Sequence, residues 1–354
     1  MKPLTRVIVG ISLLIGFFAG AGLRTAFAGV AVDLTEPGIG ARVIGLGGAF
    51  LSLSDDTSAV YVNPAGLEQF DAWQVASSMR STPLNRGTVM TATAVSAPGA
   101  MGTLGFGLIT ANVPAGFETF RDQNGLIQST GQAIGFQSNV AVLAYSFDLS
   151  RIIYNSSLGH LYFGGNFKYF SQKFSGALSG SSGDGFNMDF SILAKPKPGF
   201  KMGLVAKNVL PVGLGGTLNF KSGNQDTIPT VYQWGFGYQI NPTLWGLVDI
   251  KVPVSKPTTF NAGMEWTSDQ GIVGRLGVEQ AVVATGVDLA VITNFTAGVG
   301  YQWNGLRFDY AYRQDTTLQE NSGHFFSIGL AGMGSMIGGG NRPIPSPLSA
   351  PELQ

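Results

Sequence analysis

The chain has 354 residues with 21 basic and 21 acidic side chains, no cysteine, 51 glycines, and only 12% charged against 44% hydrophobic residues. That balance excludes a disulfide framework, thiolate chemistry and a basic nucleic-acid surface, and it is too apolar for disorder. With so much glycine it is also a poor helix former, which leaves a β-rich protein suited to lipid.

Residues 1–28 read as a signal peptide. Lys2 and Arg6 precede an apolar run over residues 7–23, and Ala26-Phe27-Ala28 is a small-residue cleavage pattern. The rival reading is a membrane-spanning helix, but Arg24 and the cleavage pattern follow the run directly. No later segment is long and apolar enough for a helical span. Lys2, Arg6 and Arg24 lie before residue 29 and no acidic residue does, so beyond it 18 basic residues face 21 acidic ones, a balance of −3.

Residues 29–71 read as a plug placed ahead of the strands. Within residues 40–67, GARVIGLGGAFLSLSDDTSAVYVNPAGL, Gly45, Gly47 and Gly48 allow close backbone approach. Asp55-Asp56 suits a turn or a helix start, with a cation role as a weaker reading, and Asn63-Pro64 ahead of Ala65 and Gly66 starts a turn that cannot continue a helix.

From residue 72 to 331 apolar and polar residues alternate. Over 185–195, Phe186, Met188, Phe190 and Ile192 share one face and Asn187, Asp189 and Ser191 the other; residues 161–171 and 306–313 repeat the pattern. Strands are expected at 72–80, 86–97, 101–110, 132–147, 161–174, 185–195, 201–210, 230–238, 244–252, 259–266, 271–279, 294–303, 306–313 and 324–331. Fourteen is even, and most are near the roughly 9 to 11 residues a tilted strand needs to cross a bilayer. Connections after even strands are short, as at Asn241-Pro242 and Asn304-Gly305, whereas 111–131, 211–229 and 280–293 are long, the rhythm of tight periplasmic turns and long outer loops. The link 148–160 breaks it, through a miscounted strand or a short inserted element. A soluble sandwich or propeller is the alternative, but Trp234, Tyr238, Trp245, Trp266, Tyr301 and Trp303 recur near strand ends, as in an aromatic girdle. The fold class is therefore all-β, a 14-stranded antiparallel transmembrane barrel with an N-terminal hatch.

The 40–67 segment resembles the N-terminal signature of the FadL-like outer-membrane transport family, including its PorV-type and related uncharacterised branch. The matching residues are Gly40, Ala41, Arg42, Gly45, Gly47, Gly48, Ala49, Phe50, Asp55, Asp56, Tyr61, Asn63, Pro64, Ala65, Gly66 and Leu67. The resemblance is specific over these residues and architectural elsewhere; Val62 stands where the family has Trp, and the 324–331 strand is followed by a Gly-, Met- and Pro-rich tail, 332–354. It implies a barrel in the outer membrane of a Gram-negative-type bacterium, in contact with outer-membrane lipid, whose hatch gates uptake of hydrophobic small molecules such as long-chain fatty acids or aromatics. In the PorV-type branch it implies an accessory barrel whose partner is a protein of a secretion system; a structural barrel is also open.

Strand phase directs Asn166, Lys168, Asn187, Asp189, Glu265, Arg275, Arg307, Asp309 and Arg313 into the lumen, as ion pairs or as ligand contacts. A carboxylate ligand would need a cation beside an apolar groove, which singles out Lys168, Arg275 and Arg307. No enzyme, cofactor or metal is expected: the two histidines, His160 and His324, lack partners at catalytic or metal spacing, and no G-x-S-x-G occurs. Residues 342–354, RPIPSPLSAPELQ, read as an extended end or a polyproline ligand.

Overall fold

The computed structural model describes residues 33–332 except 37, 82–86, 123–124, 153–158, 176–181, 286–287 and 318–321. The expected signal peptide, the start of the plug and the tail beyond residue 332 lie outside the described residues.

Sixteen strands follow a lumenal segment: β1 (Gln74–Ser81), β2 (Thr88–Val95), β3 (Thr103–Arg121), β4 (Ile127–Asp148), β5 (His160–Ser175), β6 (Gly183–Lys197), β7 (Phe200–Lys207), β8 (Thr217–Phe220), β9 (Gln225–Thr227), β10 (Val231–Asn241), β11 (Leu244–Pro253), β12 (Thr259–Thr267), β13 (Ile272–Thr285), β14 (Asp288–Trp303), β15 (Leu306–Gln314) and β16 (Gly323–Ala331). Fourteen of them pair with their neighbours around a ring, β7 with β10 and finally β16 with β1, so no edge is left. Each of the fourteen expected spans is a barrel strand. The other two, β8 and β9, form a hairpin that pairs with the start of β6 above the short β7.

Two expected loops are shorter than the sequence suggested. Most of 111–131 continues the β3–β4 ladder as far as Arg121↔Ile127, and most of 280–293 continues β13–β14 to Thr285↔Asp288. Backbone groups need partners wherever the chain goes, and extending the ladder supplies them without new turn chemistry. The exceptional link after β4 holds a 3-10 turn, Leu149–Arg151, capped by Asp148, whose side chain accepts from the Ser150 backbone N–H at 2.9 Å. Tight turns such as Asn304-Gly305, both at positive φ, define one end of the barrel, and the long connections define the other.

The outer surface follows the period-2 rule. Phe106, Leu108, Phe167, Phe236, Val248, Met264, Leu276, Phe295, Phe308 and Phe326 are all exposed, while the residues between them face inward. A continuous exposed apolar belt has no place in water and is the expected outer face of a lipid-embedded barrel. No helix among the described residues is long and apolar enough to cross a membrane. Trp73, Tyr145, Tyr238, Trp266, Tyr301 and Trp303 are exposed around the tight-turn end, the arrangement of an aromatic girdle. Trp245 does not belong to it: it faces inward with Leu247 and lies under the Lys201 Nζ at 5.2 Å, because its position in β11 shares the phase of the buried Leu247.

Candidate functional site in the barrel lumen

The lumen is filled by residues 33–36 and 38–70. Helix α1 (Ala41–Gly45) begins after Gly40 and ends in a turn through Gly47 and Gly48 at φ 64° and 77°. Only glycine suits residue 47, since a Cβ there would sit 2.5 Å from the Val278 carbonyl oxygen as well as at a strained φ. Gly45 approaches the Cα of Gly298, and a Cβ on Gly48 would press on the Asn261 amide. Asp56 accepts from the Ser58 backbone N–H at 2.9 Å, closing the turn that leads into α2 (Ala59–Val62). Asn63 leaves the helix in an extended conformation, donates its side-chain N–H to the Leu51 carbonyl at 2.8 Å, and hands over to Pro64 at the first position of a 3-10 turn, Pro64–Gln69. Ala65 then donates its backbone N–H to the Ser191 hydroxyl at 3.0 Å, and Gly66 packs on Ser54 too closely for any side chain.

The sequence signature around Arg42 supplies the centre of a charge network. Arg42 makes a two-pronged contact with Glu265 of β12 (2.8 and 2.6 Å) and reaches Asp55 at 2.6 Å and Asp56 at 3.0 Å. Glu265 also accepts from Arg275 of β13 at 2.7 Å; Arg275 reaches Asp309 of β15 at 2.8 Å; Arg307 contacts Asp309 at 2.7 Å and Asp56 at 3.5 Å. Lys201 of β7 completes the set, 3.7 Å from Asp55 and 3.0 Å from the Gln69 side chain. Four cations thus face four carboxylates, Arg42, Lys201, Arg275 and Arg307 against Asp55, Asp56, Glu265 and Asp309. The network is neutral and ties the lumenal segment to four strands.

A second cluster holds the start of the segment. Lys168 of β5, fully buried, lies 2.9 Å from Asp33 and 2.8 Å from Asp189 of β6; Asn208 donates to Asp33 at 3.0 Å, and Lys207 donates to the Thr35 carbonyl at 3.4 Å. Asn166 donates to the Val60 carbonyl at 3.1 Å, and Asn187 accepts from the Leu210 backbone N–H. Arg313 lies apart from both clusters, 3.5 Å from Glu279, where it and Arg80 flank the Phe325 ring.

The sequence-selected residues therefore fall into two groups in space plus Arg313. Lys168, Arg275 and Arg307, singled out for a carboxylate ligand, already have carboxylate partners from the protein itself. Sequence reasoning missed Asp33, Lys201, Asn208, Ser327 and Asp249. Asp249 of β11 accepts backbone N–H bonds from Phe50 and Leu51 at 2.9 and 3.0 Å, and strand phase relative to Leu247 already directed it inward. Asp33 accepts from the backbone N–H and hydroxyl of Thr35 at 2.8 and 2.7 Å, a local turn, but the partners that anchor it to the barrel, Lys168 and Asn208, are more than a hundred residues away.

Burial pushes the Asp55 carboxyl up, but the adjacent Arg42 and Lys201 outweigh burial and bring it from 3.8 down to about 2. Asp33 behaves alike: burial is outweighed by Lys168 and Lys207, and its carboxyl is held well below the usual range. Because the folded values lie below the unfolded ones, these groups contribute stability above about pH 4 that is lost as pH falls toward 2. An unfolding titration in urea is expected to show a midpoint that falls below pH 4; a midpoint unchanged down to pH 2 would count against this balance of charges.

A cavity of about 1060 Å³ runs beside the segment along the inner faces of β1, β15 and β16. It is bounded at the tight-turn end by Asp71, Gln74 and the Trp303-Asn304 turn, and reaches inward past Arg307 and Asp56 to Gly40, Ser78 and Thr91. The volume exceeds that of a small hydrocarbon ligand site.

No family model and no curated protein sequence matches the chain. Solved structures do. The toluene transporter TodX of Pseudomonas putida is 13% identical with a TM-score of 0.56, over 86% of this chain and 98% of that one. The fold is that of the FadL and TodX barrels. The Ralstonia pickettii toluene transporter TbuX gives 13% identity and a TM-score of 0.55 over 83% and 97% of the two chains. A Pseudomonas aeruginosa FadL homologue gives 12% and 0.51 over 86% and 99%. At these identities the likeness is one of fold, extending over nearly the whole of each of the three proteins.

Proposed function

We propose that the protein is an outer-membrane channel for small hydrophobic molecules, with residues 33–71 as its hatch and the tight-turn end toward the periplasm. The observation that carries this reading is the pairing of an apolar-walled closed barrel with a lumen filled by a separate segment beside a large cavity. A filled lumen prevents leakage of polar solutes, while the cavity gives an apolar molecule most of a path. The fold shared with the toluene transporters TodX and TbuX supports the substrate class. Lys168, Arg275 and Arg307 serve in this reading to hold the hatch, which favours uncharged hydrocarbons over carboxylates as cargo.

Liposomes containing the purified barrel are expected to take up labelled toluene faster than empty liposomes, while excluding a labelled sugar. Asn63→Ala and Pro64→Ala, which free the Leu51 carbonyl and the start of the 3-10 turn, are expected to change toluene flux and admit some sugar. A folded, heat-modifiable barrel with no toluene or fatty-acid flux in any form would overturn uptake and favour the PorV-type secretion accessory.

A further inference from the structure

The cavity of about 1060 Å³ and a second void of about 20 Å³ share four lining residues, Ile39, Gly40, Ser78 and Thr91. The small void lies toward the long-loop end, where Leu34, Arg80 and Val89 also line it. Residues 38–40 thus lie between the cavity and this void on its long-loop side.

These residues are held differently from everything around them. The segment before it is pinned through Asp33 to Lys168 and Asn208, and the segment after it through Arg42 to three carboxylates and through Phe50 and Leu51 to Asp249. Residues 38–40 make no ion pair. They are retained by the buried Ile39 side chain, by the Ile44 backbone N–H that the Gly40 carbonyl accepts at 3.2 Å within α1, and, as the one bond to the barrel wall, by the Ala41 backbone N–H donating to the Ser327 hydroxyl at 2.7 Å. Gly38 and Gly40 stand on either side of Ile39 at φ 82° and 93°, a conformation from which glycine rotates freely. A coupled rotation at these two residues carries Ile39 away from Thr91 with Asp33 and Arg42 still anchored.

We infer that the gate is the three-residue neck 38–40, latched by Ser327, and that residues 41–70 are a fixed scaffold. This rests on the uptake reading for its purpose, though its motion can be measured without transport. The neck sets the size of molecule admitted, because the opening is made by displacing one isoleucine rather than by withdrawing the hatch.

The chain has no cysteine, so single cysteines report accessibility without background. Ile39→Cys and Ser52→Cys are each to be placed in the full-length barrel in liposomes and exposed to a membrane-impermeant maleimide, with and without toluene. Ile39→Cys is expected to label, about fivefold faster when Ser327→Ala removes one neutral hydrogen bond, and Ser52→Cys to stay unlabelled. Gly40→Ala tests the same latch by another route, since its Cβ would lie 2.9 Å from the Ser58 hydroxyl at a strained φ; it too is expected to raise Ile39→Cys labelling. Equal labelling of residues 39 and 52 would show the whole segment moving and overturn the inference. So would an Ile39→Cys that stays unreactive in both backgrounds and with toluene. Labelling that responds to Ser327→Ala in a barrel with no toluene flux would sustain the neck and remove uptake as its purpose.

Discussion

Replacing Arg42 by methionine is expected to lower the unfolding free energy by about 3–5 kcal/mol, the usual cost of removing one partner from a buried ion cluster. Arg42 itself is held charged: burial works against its charge, but Asp55, Glu265 and Asp56 outweigh burial and raise its pKa well above the usual arginine value. Without the guanidinium, Asp55 and Asp56 lose their nearest cation and Glu265 keeps only Arg275. Methionine fills the space of the stem, so the loss reports charge rather than a void. Urea unfolding in detergent measures it. The double variant Arg42→Met with Glu265→Gln is expected to recover at least about 1 kcal/mol relative to the sum of the single losses, because the carboxylate left behind is then removed. Additive losses would mean that the two residues do not act through each other. The single variant is also expected to leak sugar from liposomes, since β12 loses its ion pair with the lumenal segment and, in this network, only the longer contacts of Lys201 and Arg307 to Asp55 and Asp56 remain.

Much of the barrel was legible because its signal is local. Alternation along β6 and β15 follows from an apolar outer face on one side and a polar lumen on the other, so strand phase alone turned Asp189 and Asp309 inward. The ends of β3, β4, β13 and β14 were not legible, because beyond the apolar belt nothing forces the outer face to be apolar and the alternation fades while the ladder continues. Position 245 failed for a related reason: an aromatic near a strand end reads as girdle, yet Trp245 is turned inward by the phase of β11. In the lumen the residue types were readable and their partners were not. Arg42 sat in the recognised signature, but its bond to Glu265 spans 223 positions. Asp33 showed at most a local turn with Thr35 and Ser327 no local pattern, because a buried anchoring carboxylate or a latch hydroxyl is defined by what the closed ring brings beside it.

Lys168 provides the second large effect and a test of sign. Its ammonium lies between Asp33 and Asp189 at 2.9 and 2.8 Å and is fully buried, so Lys168→Met leaves two carboxylates together in a dry site. The expected loss at pH 7 is again about 3–5 kcal/mol. The pH dependence should reverse as well. In the unaltered protein Asp33 is held low, despite burial, by Lys168 and Lys207, so its contribution is present at neutral pH and lost in acid. In Lys168→Met burial and the facing carboxylate both favour the protonated acid, so the folded pKa of Asp33 rises above its unfolded value. A group raised in this way stabilises below its unfolded pKa and loses that contribution as pH rises through the folded one. The variant is therefore expected to gain more stability between pH 7 and pH 5 than the unaltered protein does. Adding Asp33→Asn removes the facing charge, and the double variant should regain part of the loss at pH 7 and lose the acid-side gain. A Lys168→Met barrel that follows the unaltered pH profile would show that water or a rearranged Lys207 compensates the pair, and the lumenal anchor at Asp33 would then be weaker than its geometry indicates.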